Sequence, residues 1–146
     1  MNILVTGASS GYGELIVNDL ASNGHRVAGT VREHDGRTAE VAARLREKGV
    51  TVIDLDVTDD ASVEKGVAAA RGAIGEIDVL VNNAGVGVLG LQENFTAADL
   101  QKVFDVNVYG LHRVTRAVLP AMRARGSGLI VNISSLVGRM TLPFLG

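Results

Sequence analysis

"NILVTGASSGYGELIV", residues 2–17, joins a short apolar run to a glycine-rich turn and then to a stretch of helix formers. Ile3, Leu4 and Val5 are consecutive and do not alternate with polar residues, the pattern of a strand covered on both faces. Gly7, Gly11 and Gly13 follow at once in the spacing G-x-x-x-G-x-G. Glycine in a strand-to-helix turn lets the backbone approach a ligand with no Cβ in the way, and free N–H groups at the start of a helix favour an anion. A turn that merely redirects the chain is also rich in glycine. The meaning of the motif therefore depends on what surrounds it.

The surroundings repeat the same unit. Apolar runs at 26–31, 50–55, 77–81 and 128–133 read as further strands, and helical stretches lie near 12–22, 37–48, 59–73 and 97–125. Asn23-Gly24 and Gly49 are left-handed stops for the first two helices. Thr58 or Asp59 caps the third, and Thr96 with Asp99 forms a capping box on the fourth, which Pro120 is expected to bend near its end. Strands that alternate with helices imply right-handed crossovers and a parallel sheet with helices on both faces. The fold class is α/β, doubly wound, with its ligand crevice outside the carboxyl ends of the strands.

Composition narrows the function. With 47% apolar and 21% charged residues, a chain of 146 residues is one domain, 1–146, that buries roughly 70% of the surface its unfolded form exposes. A net charge of −2 supplies no footprint for nucleic acid or an anionic membrane, which leaves small-molecule partners. There is no cysteine for disulfides, thiolate chemistry or metal ligation, and His25, His34 and His112 are scattered with no ligand-like pairing, so no metal site is expected. No apolar run approaches the roughly 18 residues of a membrane span, and "MNILVTG" lacks the basic start of a signal peptide. A cytoplasmic protein is the expectation.

The glycine turn resembles the T-G-x-x-x-G-x-G fingerprint of the short-chain dehydrogenase/reductase family. "NNAG" at 82–85, "NVYG" at 107–110 and "IVNISSLVG" at 130–138 match that family in the same order, so the resemblance covers the whole chain. It implies a Rossmann-type sheet, of which five strands are present and the family's last strands are missing. It further implies dinucleotide contacts from Gly7, Ser9, Ser10, Gly11, Tyr12 and Gly13, and from Asn83, Ala84 and Gly85 at the ribose. Asn82 is better suited to tying strand ends together. Asp56 and Val57 are implied to meet the adenine, although a strand-end or capping carboxylate is an equally common fate for such an Asp. At the end of the second strand, where NAD-preferring members carry an acid, this sequence has Thr30, Val31 and Arg32. Arg32 can hold a 2′-phosphate, which favours NADP and leaves NAD as the alternative, with Glu33 arguing against and a solvated surface arginine as the bland reading.

The resemblance also implies hydride transfer between the nicotinamide and a carbonyl or alcohol substrate. Ser135 matches the family serine that bonds the substrate oxygen, while Ser134 reads as structural. Asn107 matches the asparagine that orders a water relay, and a mid-helix Asn bonding to backbone is its plain alternative. The family's proton donor is a Tyr-x-x-x-Lys pair. Tyr12 and Tyr109 are the tyrosines and Lys48, Lys65 and Lys102 the lysines, and none is so spaced. The pair is expected just beyond Gly146, which marks Gly146 as an interruption inside the active-site segment and the 146-residue chain as inactive by itself. The strand at 128–133, apolar on both faces, would then be left as an exposed sheet edge. The parent protein is expected to be a homo-oligomer. A non-catalytic dinucleotide-binding or sensory module that ends naturally at Gly146 is the rival reading, and an interaction fragment with no nucleotide a third. Arg113, Arg116, Arg123 and Arg125 are expected to form a solvated face on the long helix, with an oligomer contact as the alternative, and "GVGVLG" at 85–90 to form an active-site loop or a simple turn.

Overall fold

A computed structural model of the chain describes residues 1–32 and 36–140. Glu33, His34 and residues 141–146 of the closing stretch lie outside it. The strands are β1 (Asn2–Val5), β2 (Arg26–Val31), β3 (Thr51–Asp54), β4 (Val79–Asn82) and β5 (Leu129–Asn132). They form one sheet in the order β3-β2-β1-β4-β5, with every pairing parallel. The helices are α1 (Gly11–Ser22), α2 (Gly36–Glu47), α3 (Asp60–Ile74), α4 (Ala97–Phe104) and α5 (Leu111–Arg125).

Register explains why the strands are apolar throughout. Leu4 pairs with Ala28 on one side and Leu80 on the other, and all three join Val63, Val67, Val114 and Val118 in a core under α3 and α5. Their neighbours Ile3, Val27 and Val79 point to the opposite face, where Val17, Ala42 and Leu45 of α1 and α2 cover them. Leu4 and Leu80 have no exposed surface, and burying such a side chain contributes about 1.5–3 kcal/mol. β5 is one of the two edge strands, with Leu129 exposed, as the run at 128–133 led one to expect.

The local signals act at the expected places. Gly24 and Gly49 have φ of 80° and 82°. The Asp59 carboxylate accepts from Ser62 N–H, and both halves of the Thr96–Asp99 box are formed. The bonds from Thr96 hold the Asp99 carboxyl below its usual range. α5 continues through Pro120 to Arg125 and stops at Gly126, whose φ is 69°.

The long helix departs from expectation in the middle. Between α4 and α5, residues Asp105–Gly110 wind as a π turn. Two of the four arginines on α5 also turn inward, contrary to the solvated face expected from the sequence. Arg125 donates to the Ile77 carbonyl and pairs with Glu76, tying the end of α5 to the amino-terminal edge of the sheet. Arg113 turns towards α3, and its bonds are described below. Both side chains are mostly covered, at 27% and 21% exposure, because carboxylates and carbonyls of the neighbouring loops point at them.

Gly72 offers a test of the helix account. It sits exposed within α3, with ordinary φ and open space where a Cβ would go. Gly72→Ala removes only the entropic cost of glycine in a helix, so it is expected to stabilise the fold by about 0.5–1 kcal/mol. Thermal unfolding reads this, and a lower midpoint would contradict it.

Candidate dinucleotide site

A cleft of about 420 Å³ opens at the carboxyl ends of the strands. It lies where the strand order reverses, between β1 and β4, which is the place doubly wound sheets reserve for ligands. Its wall takes residues from the loops after β1, β2, β3 and β4, and from the π turn through Val106.

The glycine turn forms the floor, and two of its glycines are there because nothing else fits. A Cβ on Gly13 would lie 2.0 Å from the Gly7 carbonyl oxygen, and one on Gly7 would lie 2.8 Å from Ala84 Cα. Gly7 also has φ of 70°, unfavourable for any residue with a side chain. Packing this close brings the first turn of α1, with its unpaired N–H groups, against the loop after β4. Side chains then lock the arrangement. The buried Thr6 hydroxyl accepts from the N–H groups of both Asn83 and Ala84 at 3.0 Å. Asn83 Nδ2 returns bonds to the carbonyls of Thr6 and Gly7, at 2.9 and 3.1 Å. The equally buried Thr30 accepts from Gly7 N–H through Oγ1 and from Ala8 N–H through its carbonyl. Asn82 lies behind this layer, where its amide donates to Thr115 of α5 and Asn132 of β5, the structural role expected of it.

Most of the residues picked from the sequence meet in this cleft. Gly7, Ser9, Ser10, Tyr12 and Gly13 line it together with Arg32, Asp56, Val57, Asn83, Ala84 and Gly85. Gly11 does not line it but shapes the turn, with φ of 55°. Arg32 is largely exposed and its Nη1 lies 3.9 Å from Asp56 Oδ2, so the guanidinium stands at the mouth beside an acid. Asp56 also serves the loop, since its Oδ1 accepts from Thr58 N–H and Thr58 Oγ1. Thr30, Val31, Leu55, Val86 and Val106 complete the lining, and the last three were not singled out from the sequence, having no polar group to mark them.

Asn107 and Ser135 stand outside the lining. Asn107 uses both ends of its amide on one residue, accepting from Val86 N–H at 2.9 Å and donating to Val86 O at 2.8 Å. It thereby fastens the start of the 85–90 loop to the π turn, whose exposed winding presents it. Ser135 follows β5 on the same edge of the sheet, exposed, with its Oγ accepting from Val137 N–H at the start of a short 3-10 turn. No helix among the described residues is long and apolar enough to cross a membrane.

Known proteins resemble the chain over nearly its whole length. The chain is 38% identical over 144 residues to a 3-ketodihydrosphingosine reductase of Bacteroides thetaiotaomicron, covering 99% of this chain and 50% of that protein. It is 41% identical over 148 residues to an NADP-dependent 3-hydroxy acid dehydrogenase of Salmonella typhi, covering 100% of this chain and 58% of the relative. Among solved structures, an actinorhodin polyketide ketoreductase variant with NADPH superposes with a TM-score of 0.89 at 35% identity, over 98% of this chain and 56% of that one. The chain thus spans about half the length of the curated relatives it matches. The short chain dehydrogenase family model matches it over residues 1–146, and this chain belongs to that family of oxidoreductases.

Proposed function

We propose that residues 1–146 are the dinucleotide-binding portion of an NADP-preferring oxidoreductase acting on a small carbonyl or alcohol substrate. The observation that carries the proposal is the cleft of about 420 Å³ where the strand order reverses, lined by the glycine turn and by the residues after β4, with the start of α1 left without a side-chain cap beside it. A pyrophosphate suits the unpaired N–H groups at the start of such a helix on charge. The Salmonella typhi relative is named NADP-dependent, and the polyketide ketoreductase structure contains NADPH.

When bound, the nicotinamide supplies the hydride acceptor or donor. The chain's own residues bind and orient. Ser9, Ser10, Gly11 and Tyr12 surround the phosphates, Asn83, Ala84 and Gly85 border the ribose on the nicotinamide side, and Asp56 and Val57 border the base. Arg32 meets the 2′-phosphate, and charge-assisted bonds of about 1.5–3 kcal/mol translate into roughly tenfold to a hundredfold in favour of NADP over NAD. Ser135 holds the substrate oxygen through its hydroxyl. With one donor and one acceptor position of its amide committed to Val86, Asn107 contributes by positioning the 85–90 loop, and its remaining donor and acceptor positions serve the water relay. The Tyr and Lys that move the proton in the family are not among these 146 residues, so the turnover of the whole protein belongs to the proposal. The homo-oligomer implied by the resemblance would use the exposed face of α5, where His112, Leu119 and Pro120 border a groove.

Calorimetric titration with NADPH and NADH tests the assignment. NADPH is expected to bind tighter by about tenfold or more. Tighter NADH would overturn the preference, and no binding of either would overturn the nucleotide assignment.

A further inference from the structure

The π turn and the loop after β3 are joined by one side chain. Arg113 Nη1 donates to Asp105 Oδ1 at 2.8 Å, to the Asp105 carbonyl at 3.4 Å and to the Val57 carbonyl at 3.3 Å. Its Nε lies 3.6 Å from Asp60 Oδ1 at the start of α3. The hydrogen-bonded Asp105 carboxylate raises the guanidinium's proton affinity, against partial desolvation. Asp105 begins the π turn and Gly110 ends it. Gly110 packs so tightly that a Cβ on it would lie 2.8 Å from Val57 Cγ2. Arg113 therefore pulls on the β3–α3 loop at the point where the π turn presses against it.

Both joined segments contribute to the cleft. Val57 lines it from the β3–α3 loop and Val106 from the π turn, with Leu55 beside them. These three give an apolar wall suited to the flat face of a base, while the glycine turn and Arg32 supply the features suited to phosphate. A π turn carries one more residue per hydrogen-bonded ring than an α-helix, and reverting to α geometry would swing Val106 to a new direction. The wall keeps its shape only while something favours the π winding.

We propose that Arg113 is a positioning residue for purine recognition, setting the gap between Val57 and Val106 by holding the π turn against the β3–α3 loop. This rests on the dinucleotide reading of the cleft, and it separates two halves of the ligand. Arg113→Met keeps the aliphatic stem and removes the bonds. It is expected to weaken 2′-phospho-ADP-ribose about tenfold while leaving reduced nicotinamide mononucleotide unchanged. Arg113→Lys, which keeps the charge but cannot reach three oxygens at once, is expected to recover only part of the loss. Arg116→Met, on the exposed face of the same helix, is the control and is expected to change neither ligand.

Hydrogen exchange without nucleotide supplies the second readout, in which Arg113→Met speeds the amides of both 105–110 and 57–59. Should that variant fail to fold, Asp105→Ala breaks the shortest of the bonds and carries the same expectations. If the wild-type protein binds 2′-phospho-ADP-ribose and the variant binds it equally well, or if both half-ligands weaken alike, Arg113 has no selective role at the purine. If exchange quickens in only one of the two segments, the proposed link between them is wrong. If the wild type binds neither half-ligand, the dinucleotide reading falls and the role given to Arg113 falls with it.

Discussion

Gly13→Ala is expected to abolish nucleotide binding and to destabilise the fold by about 3 kcal/mol or more. The competing terms differ enough in size to settle the sign. Alanine gains about 0.5–1 kcal/mol over glycine inside a helix. Against this, its Cβ would stand 2.0 Å from the Gly7 carbonyl and 2.6 Å from Asn83 Nδ2. Neither neighbour can retreat easily, since Gly7 is held by Thr30 and Asn83 by Thr6. The α1 turn must back away from Gly7, and the N–H groups proposed to meet the phosphates go with it. Thermal unfolding and NADPH titration measure the two consequences together. Gly13→Ala with wild-type affinity would show that the glycine turn is not where the nucleotide sits. The same exchange at Gly72, where space is open, is expected to go the other way.

Arg32→Asp is expected to invert the cofactor ratio, weakening NADPH by about a hundredfold while changing NADH little. The wild-type guanidinium favours a 2′-phosphate, whereas the variant carboxylate repels it and can accept from a free ribose hydroxyl. A second acid beside Asp56, which already lies 3.9 Å from the Arg32 guanidinium, makes the repulsion greater. Because the Arg32 side chain is 61% exposed, salt should shrink the effect. Dissociation constants for both cofactors at low and high ionic strength give the answer. Equal losses for the two would place Arg32 away from the phosphate.

The parts of this fold that could be read from the sequence are those whose cause is local. Consecutive apolar residues such as Ile3, Leu4 and Val5 require cover on two faces, and the glycines at 24 and 49 are needed where the chain takes a left-handed step. The cleft residues were found through the strand ends that carry them. The π turn escaped notice because the apolar spacing of 97–125 does not reveal one extra residue in a ring. Arg113 and Arg125 were misread for a related reason. The charge pattern of a helix says where cations sit along it, but Asp105 comes within reach of Arg113 through the π turn, and Glu76 and Ile77 meet Arg125 through the loop the fold brings alongside. Thr30 was noticed only for not being an acid, though its hydroxyl and carbonyl both anchor the glycine turn. The double bond from Asn107 to Val86 depends on a contact across 21 positions, which no local pattern records.

The bonds from Thr6, Thr30 and Asn83 join the glycine turn to the interior of the sheet, whereas Arg32 reaches the cleft from the open end of β2. In the proposed function, anchoring and discrimination are therefore physically separate. The glycine turn tolerates almost no substitution at Gly7 and Gly13, since its fit involves main-chain atoms on both sides. Arg32, proposed to distinguish one nucleotide from another, sits in solvent, where a change disturbs little else. If Arg32 holds the 2′-phosphate, a lineage built on this plan can exchange its source of reducing equivalents through surface mutations that leave the packing of Gly7 against Ala84 and of Gly13 against Gly7 untouched.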